Sequence, residues 1–85
     1  VFGDIYSRPE LTLQERELVT LSSLIAQGGC EAQLRVHVNA ALNVGIAPEK
    51  ITEVCIHSIP YTGFPRVLNG VFTVQDVLKG RKGEE

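Results

Sequence analysis

Between Cys30 and Gly45 the chain reads CEAQLRVHVNAALNVG, and Leu34, Val38, Ala41 and Leu42 recur there at three- and four-residue intervals. That period places them on one stripe of an α-helix, with Glu31, Arg35 and Asn39 on its other sides. Gly45 suits a left-handed cap at the end of the run, and Gly28-Gly29 stops the segment before it. Thr12 and Glu15 have the spacing of a capping box, opening a helix from Leu13 to about Gln27 with Leu18, Leu21, Leu24 and Ile25 inward. Pro48 fits the first position of a further helix and Glu49 its positive end; Ile51, Val54, Cys55 and Ile59 form its apolar face. Pro60 lacks an amide proton and its ring crowds the carbonyl of Ile56, which predicts a kink or an end near Ser58. Tyr61-Thr62-Gly63-Phe64-Pro65 reads as a short break, and Arg66 to about Lys79 as the last helix, with Val67, Leu68, Val71, Val74 and Leu78 inward. No alternating strand pattern competes, so the predicted fold is all-α, a bundle of four short antiparallel helices over residues 12–80. Residues 1–11 show no sustained period and predict an arm, with Phe2, Ile5 and Tyr6 packing on the domain or a neighbouring subunit. Residues 81–85 read as a polar tail.

A single domain of 85 residues buries only about 60 to 65 per cent of the surface its unfolded chain exposes, so its core is marginal alone. Two cysteines and two histidines, with no Cys-x-x-Cys pair, make a poor zinc framework and a sparse disulfide scaffold. Oligomerisation is the favoured remedy, and no metal or cofactor is expected. A net charge of -2 with interspersed signs argues against a nucleic-acid surface, which needs clustered cations. The basic cluster Lys79, Arg81 and Lys82 is followed by Glu84 and Glu85 and reads as a solvated end. No apolar run approaches the roughly 20 residues of a membrane span, and a cytoplasmic protein with reduced thiols is the default expectation.

His37 lies three residues after Leu34 and four before Ala41, at the border of the apolar face, where a half-dry imidazole is placed to exchange protons. Cys30 falls on nearly the same face, but two helical turns separate the two by about 10 Å. Glu17 sits beside the buried stripe of its helix, one residue ahead of Leu18 and four ahead of Leu21. Arg35 and His37 point about 160° apart on one helix. Arg35 therefore either serves a neighbouring subunit's site as a carboxylate clamp or makes a surface ion pair. Cys30 heads a helix, whose positive end favours negative charge on sulfur; its alternative is a small hydrophobe. Cys55 reads as core filler, and whether it meets Cys30 is open. Glu53, His57 and Tyr61 repeat at four-residue spacing and either line a pocket, as binding residues, or form an exposed ladder.

Three blocks point to a family: RELVTLSSLIAQG from Arg16 to Gly28, LRVHVNAALNVG from Leu34 to Gly45, and the run from Glu53 through His57 to YTGFP at Tyr61 to Pro65. In order and spacing, from Leu11 to Leu78, they resemble the carboxymuconolactone decarboxylase family, which includes the alkyl hydroperoxidase D-like proteins. The resemblance implies an all-helical subunit that assembles as a homo-oligomer, a trimer or hexamer, with active sites near subunit contacts. In the hydroperoxidase D-like branch a Glu, a Cys-x-x-Cys and a His form a proton relay and a redox dithiol. Glu17, Cys30 and His37 match the Glu, first Cys and His, but Gln33 stands where the second Cys belongs. The decarboxylase branch lacks the dithiol and shares the Leu34 to Gly45 block with its Arg and His; it tends to carry a Cys after the Tyr, where this chain has Thr62.

Three functions remain open on these residues. The first is a cofactor-independent decarboxylase acting on a small carboxylated lactone or related acid, with His37 as proton donor. The second is a thiol-dependent hydroperoxide reductase using Cys30, with Glu17 and His37 relaying protons. The third is a non-catalytic oligomeric module that keeps the pocket for a small ligand.

Overall fold

The computed structural model describes residues 2–83, with only the backbone of Phe2 and Gly83. The packing expected of Phe2 and the solvated end expected of Glu84 and Glu85 lie outside the described residues. Among the described residues five helices follow one another: α1 (Phe2–Tyr6), α2 (Leu13–Gln27), α3 (Glu31–Asn43), α4 (Pro48–Thr62) and α5 (Phe64–Gly83). There is no strand among the described residues. α2 and α5 each pack on α3, on α4 and on one another, so this pair runs through the centre of the bundle. The core is the single cluster around Leu21, Ile25, Leu34, Val38, Ile51 and Val67.

The start of α2 is a complete capping box: Glu15 N–H donates to Thr12 Oγ1 (3.1 Å) and Thr12 N–H to Glu15 Oε1 (2.8 Å). These bonds satisfy amides that have no intrahelical acceptor. The end of α3 is a Schellman cap. Gly45 adopts φ +91, its N–H reaches Leu42 O, and Ile46 N–H reaches back to Ala41 O, which seats Ile46 in the core. Two distant side chains brace the same end, Gln14 on Val44 O and Arg81 on the amide oxygens of Asn39 and Asn43. Arg81, expected to be solvated, is thus pinned to α3, and α5 carries on to Gly83.

Four further sequence expectations change. Residues 2–6 of the arm are a short helix, so there are five helices among the described residues rather than the four expected. α4 runs through Pro60 to Thr62: the proline lies in the last turn, and the carbonyl it orphans belongs to the exposed residue Ile56. The break before α5 shrinks to Gly63 at φ +97, because Pro65 falls in the first turn of α5, where no amide proton is needed. Leu68 is 45% exposed rather than inward. The buried stripe of α5 is Val67, Gly70, Val74 and Val77, joined by Thr73, whose hydroxyl donates to Asn69 O. Gly70 lets α5 lie against α2 so closely that a β-carbon there would be 2.9 Å from Ile25 Cγ1.

Candidate active site

Glu17 precedes Leu21 and Ile25 at four-residue intervals, so α2 carries its carboxylate inward with them, to 5% exposure. Leaving such a group unpaired in a dry interior is costly. α3 supplies the partner: His37 follows Leu34 by three residues, and its Nδ1 lies 3.0 Å from Glu17 Oε1. An ionised carboxylate only accepts, so Nδ1 carries the proton of this bond and Nε2 is the ring nitrogen left for other chemistry.

His37 borders a cleft of about 440 Å³ between α1, α2 and α3. Ile5, Leu11, Val19 and Leu24 form its apolar wall. The polar groups are Tyr6, Arg16, Thr20, Gln33 and His37. Thr20 gives its hydroxyl proton to Arg16 O (2.9 Å), so the 3.0 Å bond between Tyr6 and Thr20 is donated by the phenol, and it docks α1 on α2. Arg16 donates a terminal N–H to Arg8 O at 2.8 Å. An apolar pocket with a few converging polar groups is the usual form of a small-ligand site. A larger groove, of about 1030 Å³ between the α3–α4 turn and the end of α5, carries none of the candidate imidazoles or thiols.

The structure thus brings Glu17 and His37 together and keeps the other candidates away from them. Cys30 is the N-cap residue of α3 and does not line this cleft. Its Sγ lies 3.5 Å from Gly28 O and 3.7 Å from Gln27 Oε1, contacts that a protonated thiol makes as donor. Cys55 is buried in the core, where burial pushes its thiol above the ordinary range, and both cysteines are free. Arg35 makes the surface alternative real: it pairs with Asp76 at 2.8 Å, with both side chains about half exposed or more (49% and 61%). The rings of His57 and Tyr61 meet at a tilt of 42°, centroids 5.5 Å apart, on the exposed side of α4, and Tyr61 is 80% exposed. His57 borders a separate shallow groove with Glu53.

Arg16, Thr20, Tyr6 and Gln33 were not singled out as site residues on sequence grounds. A signal existed for part of the set. Arg16, Thr20 and Leu24 follow one another at four-residue spacing, immediately beside the buried row Glu17, Leu21 and Ile25. Gln33 lies four residues before His37, on the same face of α3.

By fold and site, this is an all-helical chain with a buried carboxylate–imidazole pair on the edge of a small cleft. The model of the carboxymuconolactone decarboxylase family matches residues 1–76, and the chain belongs to that family. It is 33% identical over 78 residues to the 4-carboxymuconolactone decarboxylase of Acinetobacter baylyi, covering 92% of this chain and 58% of that protein. It is 29% identical over 85 residues to the nitrosuccinic acid decarboxylase of Metarhizium robertsii, covering 98% of this chain and 59% of that protein. The chain therefore spans somewhat over half the length of these relatives. No helix among the described residues is long and apolar enough to cross a membrane.

Proposed function

We propose that this chain carries the acid–base centre of a decarboxylase for small, compact acids, with His37 as proton donor and Glu17 as the group that orients it. One observation carries the reading: the 3.0 Å bond between Glu17 and His37 at the wall of a cleft of about 440 Å³. Loss of carbon dioxide breaks a carbon–carbon bond and leaves the electron pair on the substrate, where its own unsaturation or an electron-withdrawing neighbour delocalises it. The carbon then takes a proton from Nε2–H, and the imidazole regains one from water. Glu17, accepting from Nδ1–H, fixes the ring and balances the imidazolium that must form before the transfer. The chemistry is redox-neutral and runs without a metal or organic cofactor when the substrate delocalises the charge itself.

Both named relatives are decarboxylases, one of a carboxylated lactone and one of a nitro-substituted diacid, which supports this reading. They lend no support to the hydroperoxide reductase, and the place of its second cysteine, Gln33, lines the cleft as an amide. Exposed apolar side chains at Val36, Ile56, Phe64 and Phe72 fit assembly with further copies of the chain. The test is carbon dioxide release from carboxylated lactones and nitro-substituted short diacids by wild type and His37→Ala. Loss of a general acid lowers kcat by about 10²- to 10⁴-fold, with an unchanged circular dichroism spectrum. An equally active His37→Ala protein overturns the proposal.

A further inference from the structure

We infer that Arg16 is the anion-binding residue of the His37 cleft, holding an acidic group that the substrate keeps through the reaction. The inference rests on the decarboxylase reading for what happens next to it, and on the structure of Arg16 itself for the rest.

Arg16 borders the cleft from α2, one turn before Thr20, and is itself partly buried. A guanidinium has five N–H donors. Here one terminal nitrogen is engaged by Arg8 O, and Nε is buried with no hydrogen-bond partner, the one such side-chain atom among the described residues. The ion pairs within 4.0 Å among the described residues are Arg35–Asp76 and His37–Glu17, and Arg16 is in neither. Glu15 attracts it at a distance, but that carboxylate is committed to the Thr12 amide. A cation with an unsatisfied donor is therefore held against an apolar wall, an arrangement that is costly until an anion arrives. A carboxylate in the cleft reaches instead the terminal N–H groups that Arg8 O leaves free, and pairs the cation in the bidentate geometry that guanidinium favours.

Which acid group Arg16 holds follows from charge. The departing carboxylate loses its charge as carbon dioxide, so a cation bound to it stabilises the ground state more than the transition state and slows the reaction. A retained carboxylate, or a planar anion of similar shape, keeps its charge throughout. Arg16 exchanges no proton or electron; the bond broken is the one to the departing carboxylate, and His37 supplies the proton. The wall at Val19 and Leu24 offers the departing group no cation, which favours loss of charge there.

The experiment uses succinate, an unreactive diacid, and butanoate, its monoacid counterpart. In ¹⁵N-labelled wild-type protein, succinate is expected to shift the Arg16 Nε–H resonance saturably, and butanoate to bind at least tenfold more weakly. Arg16→Gln is expected to weaken succinate binding at least tenfold. On any diacid that is turned over, it is expected to raise KM by a similar factor with kcat within threefold, and Arg16→Lys to recover part of the loss. An unmoved Nε–H resonance, equal binding of succinate by Arg16→Gln, or a fall in kcat at constant KM overturns the inference. Saturable binding through Arg16 by a protein inert toward every acid tested upholds the anion site and removes the decarboxylase reading instead. The resonance is read in the wild type, so the outcome does not depend on any variant folding.

Discussion

His37 Nδ1 and Glu17 Oε1 are 3.0 Å apart across the α2–α3 contact, and the carboxylate is the more deeply buried partner, with 7% of its side chain exposed against 22% of the imidazole. The bond does two things at once: it keeps a charged group tolerable inside the bundle, and it fixes the ring of a residue that borders the cleft. Stability and proton transfer therefore separate by substitution. Glu17→Ala strands the Nδ1 proton and is expected to lower stability by about 1–3 kcal/mol in denaturant melts. Glu17→Gln keeps an amide oxygen for that proton and most of the stability, but it cannot balance an imidazolium. Its kcat is expected to fall at least about tenfold. Wild-type kcat in Glu17→Gln would remove the carboxylate from the mechanism.

Cys30 gives a simpler expectation. Its sulfur faces two oxygen acceptors and lies outside the cleft that His37 borders. Cys30→Ser presents a hydroxyl to the same oxygens, so decarboxylation is expected to stay within about twofold of wild type. A large loss on this substitution, or on alkylation of the thiol, would restore sulfur chemistry to consideration.

Two glycines of α5 make a paired test of packing. A β-carbon at Gly70 meets Ile25 Cγ1 at 2.9 Å, whereas one at Gly80 meets nothing within 4 Å. Ile25 is β-branched and buried and cannot easily rotate away. Gly80→Ala is expected to stabilise by about 0.5–1 kcal/mol through helix propensity alone. Gly70→Ala carries the same gain but an overpacking cost of about 1–3 kcal/mol, and is expected to melt below wild type. A Gly70→Ala protein that melts above wild type would show that α2 and α5 are farther apart than described.

Those contrasts also mark what sequence could and could not reveal. The limits of α2 and the cap of α3 were readable because their determinants are local: Thr12 with Glu15, and Gly45 after an apolar run. Leu68 misled because periodicity counts apolar residues, while the buried stripe of α5 includes Gly70 and Thr73, and Gly70 allows close approach to Ile25 of α2. The proximity of Glu17 to His37 was suggested by the family resemblance and by neither helix alone. Arg16 escaped notice because its significance is a missing partner, and a missing partner becomes visible only when everything around the guanidinium is in place.

Acid should act on the capping box. The Glu15 carboxyl is held below its ordinary value of 4.5, first by the Thr12 backbone amide, then by the Thr12 side chain, with a smaller attraction from Arg16. A depressed folded value means the contribution is complete above the ordinary value and is lost as pH falls through the folded one. Wild type is expected to melt above Glu15→Gln near neutral pH, and the gap to narrow as the pH falls below 4.5. A gap of constant size across that range would separate the cap from the carboxylate's charge.

The short helix α1 has five residues, too few to hold a helical shape in water unaided. Its side of the cleft, Ile5 and Tyr6, stays in place through the phenol's bond to Thr20, with Arg16 gripping the chain just beyond at Arg8. The volume beside His37 is consequently not a fixed property of the bundle. It depends on how firmly α1 is fastened, and a competitor for Thr20 or for the Arg8 carbonyl is expected to change the size of molecule the imidazole can meet.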